Sequence, residues 1–370
     1  MINFLNIDND YLKSTSSDDS RDLSDKEIIE QIFALKMKLK EKIVILGHHY
    51  QQDDVIQFAD IKGDSLKLAQ EASKIDKEYI IFCGVHFMAE TADILTSNSQ
   101  KVILPDLQAG CSMADMVTKD QIEKAWKFIT DNTDEKVIPI TYVNSSAEVK
   151  SFVGSHGGCI CTSSNAHEVI NWAFGQGQKI FFFPDQHLGR NTCFDLNIPL
   201  EKMSLYDPNK ISGGLSSIEV KSAKVLLWFG FCSVHQGFNV NQIKVLKEKD
   251  PDIHIIVHPE CSFEVVQAAD ESGSTAKIVE VIRSAPKGSK FAVGTEINLV
   301  NRLSQEFTDK KIMSLSPYQC LCSTMYRIRP AWLLRCLKSI EANKPINVIS
   351  VSEEVKINSI KAINQMLEIS

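Results

Sequence analysis

The run Ile43-Val44-Ile45-Leu46-Gly47-His48-His49-Tyr50 is four aliphatic residues that stop at a glycine and then turn polar. Three of the four are β-branched and none alternates with a polar residue, which suits a strand buried on both faces. The design recurs twice. Val137-Ile138-Pro139-Ile140-Thr141-Tyr142-Val143 runs into Asn144-Ser145-Ser146, and Ile253-His254-Ile255-Ile256-Val257-His258 runs into Pro259-Glu260-Cys261. Around these runs, short apolar segments alternate with amphipathic helical ones, the pattern of a parallel α/β fold.

Outward from these three runs, the strand candidates fall into three groups. The first spans 43–47, 79–84 and 101–105; the second 137–143, 159–162, 179–184 and 224–230; the third 253–258, 290–294 and 311–316. In each group the last candidate leads into a cysteine: Cys111, Cys232 and Cys322 in turn. One unit of roughly 90 to 100 residues used three times accounts for this. The expected architecture is three similar α/β/α domains with short parallel sheets, in pseudo-threefold arrangement around a central active site. Residues 1–38 are expected to form an arm and a helix, the domains to cover 39–119, 120–222 and 223–322, and a helical tail at 323–370 to pack on the core. Ligands of parallel sheets bind beyond the carboxyl ends of the strands, where helix N-termini aim their dipoles. Three such ends facing one another would pool into one site.

Composition removes other classes. The chain has 370 residues, 44% hydrophobic and 24% charged, enough for a substantial core. A net charge of −7 with scattered basic residues argues against a nucleic-acid partner. No apolar run reaches the roughly 18 to 20 residues of a membrane span, and residues 1–20 lack the basic start and apolar stretch of a signal peptide. A cytoplasmic, reducing location is therefore expected, in which the ten cysteines are thiols, metal ligands or redox groups and not disulfides. No CxxC pair occurs, which argues against zinc ribbons and ferredoxin-like clusters. Any metal centre must collect ligands from distant segments.

Three thiolates from Cys111, Cys232 and Cys322 make a poor closed zinc site. They make a good holder for a 4Fe–4S cluster with one iron free of protein ligands, a Lewis acid for carboxylate or hydroxyl oxygens. Read singly, the same cysteines are buried small hydrophobes. A zinc site from Cys232 and His235 lacks a second pair of suitable spacing. On residues alone the chain is an α/β enzyme using an iron–sulfur Lewis acid on small anions, with an aconitase-like hydro-lyase and a non-catalytic cluster-based sensor as the rivals.

The motifs sharpen this. Gly47-His48-His49-Tyr50-Gln51, Gly63-Asp64-Ser65-Leu66, Gly84-Val85-His86-Phe87-Met88-Ala89-Glu90-Thr91-Ala92, Ala109-Gly110-Cys111-Ser112-Met113-Ala114-Asp115 and Tyr142-Val143-Asn144-Ser145-Ser146-Ala147-Glu148 stand in the first half. Cys161-Thr162-Ser163-Ser164-Asn165-Ala166, Pro184-Asp185-Gln186-His187-Leu188-Gly189, Cys232-Ser233-Val234-His235, His258-Pro259-Glu260-Cys261, Gly273-Ser274-Thr275, Gly294-Thr295-Glu296 and Cys322-Ser323-Thr324-Met325 follow in order. From about residue 40 to its end, the chain resembles the iron–sulfur quinolinate synthases of NAD biosynthesis, with the stretch at about 185–222 similar to the insertion of their longer form.

The resemblance implies one 4Fe–4S cluster per chain on Cys111, Cys232 and Cys322. Cys320 competes for the third place, and Met325, three positions after Cys322, favours the latter. It implies iminoaspartate and dihydroxyacetone phosphate as substrates, and L-aspartate oxidase as a functional partner of a monomer or homodimer. His48 and Tyr50 would move protons during enolisation of the triose, with Glu260 and His235 as the further acid–base residues. His48, Ser65, Tyr142, Val143, Asn144, Ser163, His258, Pro259, Glu260 and Thr275 would hold substrate. Ser65, Ser163 and Thr275 stand in segments that read equally as helix caps, and His258-Pro259-Glu260 in isolation reads as a turn. Cys83, Cys159 and Cys161 read as packed thiols, Cys193 and Cys336 have no evident partner, and His86, Glu90 and His187 read as structural.

Overall fold

A computed structural model describes residues 23–318 and 320–369; most of the expected amino-terminal arm lies outside the described residues. The strands are β1 (Ile43–His48), β2 (Ile61–Gly63), β3 (Tyr79–Cys83), β4 (Lys101–Ile103), β5 (Val137–Tyr142), β6 (Cys159–Cys161), β7 (Lys179–Phe183), β8 (Met203–Tyr206), β9 (Val225–Trp228), β10 (His254–Val257), β11 (Glu271–Ser272), β12 (Lys290–Gly294) and β13 (Lys311–Ser314). They form three sheets in the orders β2-β1-β3-β4, β6-β5-β7-β9-β8 and β11-β10-β12-β13, with every pairing parallel. The sheets thus repeat one topology, and the second carries an extra edge strand, β8, from the inserted stretch. The α/β architecture expected from the sequence is the one observed.

The continuous apolar runs are explained by burial: every residue of β1, β3, β5 and β7 is shielded, including Phe181, Phe182 and Phe183. Helices on both faces cover the sheets, many of them started by a side chain that accepts an otherwise unpaired N–H. Four of these caps sit at the carboxyl ends of strands: Asp64 for helix Ser65–Ala72, Asp185 for Gln186–Asp195, Ser274 for Thr275–Ser284 and Glu296 for Ile297–Glu306.

Hydrogen bonds tie the three sheet units at these same ends. Arg302 reaches Asp53 at 2.9 Å and the His49 carbonyl at 2.8 Å. Asn191 donates to the carbonyls of Pro259 and Cys261 at 2.8 and 2.9 Å, and Ser164 donates to Asp64 at 2.8 Å. Helix Glu353–Ile369 lies on helix Ala147–Ser155, burying Ala362, Ile363 and Met366. Among the described residues no helix is long and apolar enough to cross a membrane.

Candidate functional site

Cys111, Cys232 and Cys322 occupy one local structure, built three times. A single 3₁₀ turn begins three residues after each: Ala114–Met116, His235–Gly237 and Met325–Arg327. The cysteine carbonyl accepts the N–H four residues on, from Asp115, Gln236 and Tyr326, at 3.1, 3.1 and 3.0 Å. The N–H three residues on, from Ala114, His235 and Met325, donates to the sulfur. Each turn therefore presents a sulfur already supplied with a donor, the arrangement that stabilises a thiolate.

The three sulfurs line one cleft with a void of about 660 Å³ including its mouth. Burial pushes the Cys111 thiol up to about 12, and those of Cys232 and Cys322 also rise. A cationic partner is what would convert them to thiolates. Three convergent thiols with built-in N–H donors fit a metal group held at three points. Cys320 is set apart: it is buried, its Sγ lies 3.8 Å from the Tyr318 carbonyl, and it packs beside Gly237.

Around the sulfurs the cleft gathers His48, Tyr50, Ser65, Tyr142, Asn144, Ser163, His235, His258, Glu260 and Thr275. Of the expected site residues, Val143 is packed in the core and Pro259 is a partly buried turn residue whose carbonyl takes the Asn191 bond; neither forms the cleft wall. Asp64, Thr162, Phe87, Met88, Thr324 and Met325 are wall residues not assigned to substrate or catalysis from the sequence. All six stand inside the quoted motifs, which was the available signal. No lysine or arginine lines the cleft among the described residues.

His48 and His258, at the ends of β1 and β10, repeat one geometry. Nδ1 of His48 accepts the Tyr50 N–H at 3.2 Å, and Nδ1 of His258 accepts the Glu260 N–H at 3.3 Å. Burial drives both imidazoles down to about 3. Each is neutral at pH 7 with its proton on Nε2, which makes His48 a donor and points His258 at the Ser163 hydroxyl, 3.2 Å away. Glu260 lies between His235, whose Nδ1 is 2.7 Å from Oε2, and His258, at 3.9 Å. The shorter contact is off the ring N–H axis, so it is electrostatic and not a hydrogen bond. Burial alone would raise the Glu260 carboxyl, but the two imidazoles and the Tyr142 hydroxyl outweigh it and hold it at about 2. The imidazoles stack, with ring centres 4.5 Å apart. Cys232, His235 and Glu260 also place ligand atoms within 4.8 Å of one another, a set that could seat a single metal ion. However, the second nitrogen of His235 is engaged by Thr295 at 3.2 Å.

Tyr50 hydrogen-bonds through its hydroxyl to Thr275 and Thr295, at 2.9 Å each, and burial raises its pKa well above the phenol range. It stays protonated. Ser65 and Thr275 open their helices directly after Asp64 and Ser274, so the caps are the preceding residues, and Ser65 and Thr275 line the cleft. Cys83, Cys159, Cys161, Cys193 and Cys336 are all wholly buried thiols.

The sequence matches the family model described as Quinolinate synthetase A protein over residues 30–368. It is 53% identical over 347 residues to the quinolinate synthase of Anoxybacillus flavithermus, covering 93% of this chain and 94% of that one. It is 51% identical over 347 residues to that of Bacillus cereus strain B4264, covering 94% of each. Among solved structures, the E-1-hydroxy-2-methyl-but-2-enyl-4-diphosphate reductase from Plasmodium falciparum aligns over 78% of each chain with a TM-score of 0.27 and 15% identity, too slight a likeness to carry weight. A chain matched along this length and at this identity belongs to the quinolinate synthase family.

Proposed function

We propose that this protein condenses iminoaspartate with dihydroxyacetone phosphate to give quinolinate, phosphate and two waters, in the cytoplasm, using one 4Fe–4S cluster on Cys111, Cys232 and Cys322. The observation that carries this is the threefold cysteine turn, one per sheet unit, converging on a single cleft. When bound, the cluster supplies a Lewis-acidic iron. The rest falls to side chains.

The substrates bring two carboxylates and a phosphate into a wall without lysine or arginine. Neutral donors hold them: Nε2–H of His48, the hydroxyls of Ser65 and Ser163, the Asn144 amide, and the N-termini of helices Ser65–Ala72 and Thr275–Ser284, the second of which opens with Thr275 itself. His48, with Nδ1 committed to a backbone N–H, polarises the triose carbonyl and does not take a proton. Tyr50 gives its proton to the developing oxygen. Glu260, a carboxylate held ionised beside the sulfurs, takes protons during imine closure and water loss, with His235 and Tyr142 orienting it. The Asn144 carbonyl oxygen is buried without a partner in the wall, free to accept a substrate N–H.

The three-domain division belongs to the same proposal, with the second domain carried past 222 because β9 (Val225–Trp228), which leads into Cys232, pairs with β7 in the second sheet. So does supply of the unstable imine by L-aspartate oxidase. The test is turnover: protein purified without oxygen, with roughly four irons and four sulfides per chain, should form quinolinate from the two substrates. Loaded protein that forms none refutes the activity, and a colourless protein holding only zinc refutes the cluster.

A further inference from the structure

The motif Gly294-Thr295-Glu296 closes β12, and the reaction above gives it no part. Thr295 is wholly buried and does not line the cleft. Its hydroxyl still stands between two groups that do, 2.9 Å from the Tyr50 hydroxyl and 3.2 Å from Nε2 of His235. On the far side of Tyr50, the Thr275 hydroxyl lies at 2.9 Å. The row Thr275–Tyr50–Thr295–His235 thus joins the first sheet unit to the third beneath the cleft.

We propose that Thr295 is a positioning residue, a hydroxyl bridge that selects the tautomer of His235 and the direction of the Tyr50 hydroxyl; it rests on the reading of this cleft as the catalytic one. The assignment follows from counting donors. The Glu260 carboxylate stands 2.7 Å from Nδ1 of His235; although off the N–H axis, its charge repels a lone pair there and favours the ring proton on Nδ1, which leaves Nε2 as the lone pair. Thr295 donates its single proton to Nε2. Its oxygen is then the acceptor for Tyr50, whose own oxygen accepts from Thr275. Each hydroxyl donates once, all in the same sense.

Packing does not explain the residue. Valine fills the same volume, and a buried hydroxyl costs stability unless it is bonded. Without the hydroxyl, His235 loses the partner that reads its tautomer and the Tyr50 hydroxyl loses the acceptor that fixes the direction from which it serves the cleft.

The test compares Thr295→Val and Thr295→Ser in the full-length chain. By ¹⁵N NMR of labelled histidine in the metal-free chain, wild type and Thr295→Ser should hold His235 as the Nδ1–H tautomer, and Thr295→Val should mix the two. In the loaded enzyme Thr295→Val should lose about 10- to 100-fold in kcat with KM within about twofold, the scale of a misplaced reacting group, and Thr295→Ser should stay within about threefold of wild type. A Thr295→Val protein with wild-type tautomer and kcat overturns the proposal. So does a Thr295→Ser protein as impaired as Thr295→Val, which would mark a packing role. If Thr295→Val does not fold, Thr295→Ala carries the same expectations. If the wild type forms no quinolinate, the functional reading fails while the NMR comparison still decides the role of Thr295.

Discussion

Gly154 sits in helix Ala147–Ser155, where a methyl on its Cα would stand 1.9 Å from the carbonyl oxygen of Asn358 in helix Glu353–Ile369. Ordinary contact begins at 3.4 Å, so Gly154→Ala must part the two helices by about 1.5 Å. Overpacking of this kind costs about 1–3 kcal/mol. Lifting the C-terminal helix off entirely would expose the wholly buried Ile363 and Met366, about 1.5–3 kcal/mol each, so the shift is the cheaper response. Alanine in a helix returns about 1 kcal/mol, which leaves a net loss of up to about 2 kcal/mol. Gly175, in helix Ala166–Gln176, is the control: nothing lies within 4 Å of its added methyl, so Gly175→Ala should gain about 0.5–1 kcal/mol. Urea unfolding followed by circular dichroism should move the two variants to opposite sides of wild type. Limited proteolysis between residues 343 and 352 should speed up in Gly154→Ala alone. If both variants gain stability equally, the helix pair is not seated as described. The displacement also has a route to the cleft, because Ser359 donates to the Ala147 carbonyl at 3.0 Å, three residues from Asn144.

Cys322→Ala should drop iron from about four per chain to below one, while Cys320→Ala should retain it; the reverse pattern by iron and sulfide analysis would transfer the third ligand to Cys320. Glu260→Gln should lower kcat by about 10²- to 10⁴-fold while the cluster spectrum is unchanged, and a variant with wild-type turnover would remove Glu260 from proton transfer. Lys150 is wholly buried, and burial, against the pull of Glu90, lowers its ammonium from 10.5 to about 8. The unfolded chain therefore binds the extra proton between these values, so folded stability rises with pH across that window, by up to about 3 kcal/mol, and the penalty is in full force below about pH 8. Urea titrations of the metal-free chain should show this slope in wild type and its loss in Lys150→Met; parallel curves for the two would refute the shift.

Strands shielded on both faces announced themselves. β1, β5, β7 and β12 are near-continuous apolar runs because helices cover both sides of each sheet, and all ten expected strands are present. The three that escaped are edge strands. Ile61-Lys62-Gly63 and Glu271-Ser272 are two or three residues long and partly exposed, and Met203–Tyr206 is only partly buried within the inserted stretch. For the site, strand-end polar residues and the repeated cysteine were readable because topology alone sends them to one place. The stacking of His235 on His258 and the bridge through Thr295 were not readable, since they join residues 23 and 60 positions apart by side-chain direction, which no periodicity encodes. Val143 and Pro259 show the converse: their neighbours face the cleft, and strand alternation and turn geometry send them elsewhere.

The threefold cysteine turn has a consequence for biogenesis. No sheet unit owns more than one of the three thiols, so no fragment and no partly docked chain can retain what the whole chain retains. If the three thiols hold the proposed cluster, its acquisition acts as a logical AND over three folding events, and the brown colour of a loaded preparation would report that every unit has closed on its neighbours.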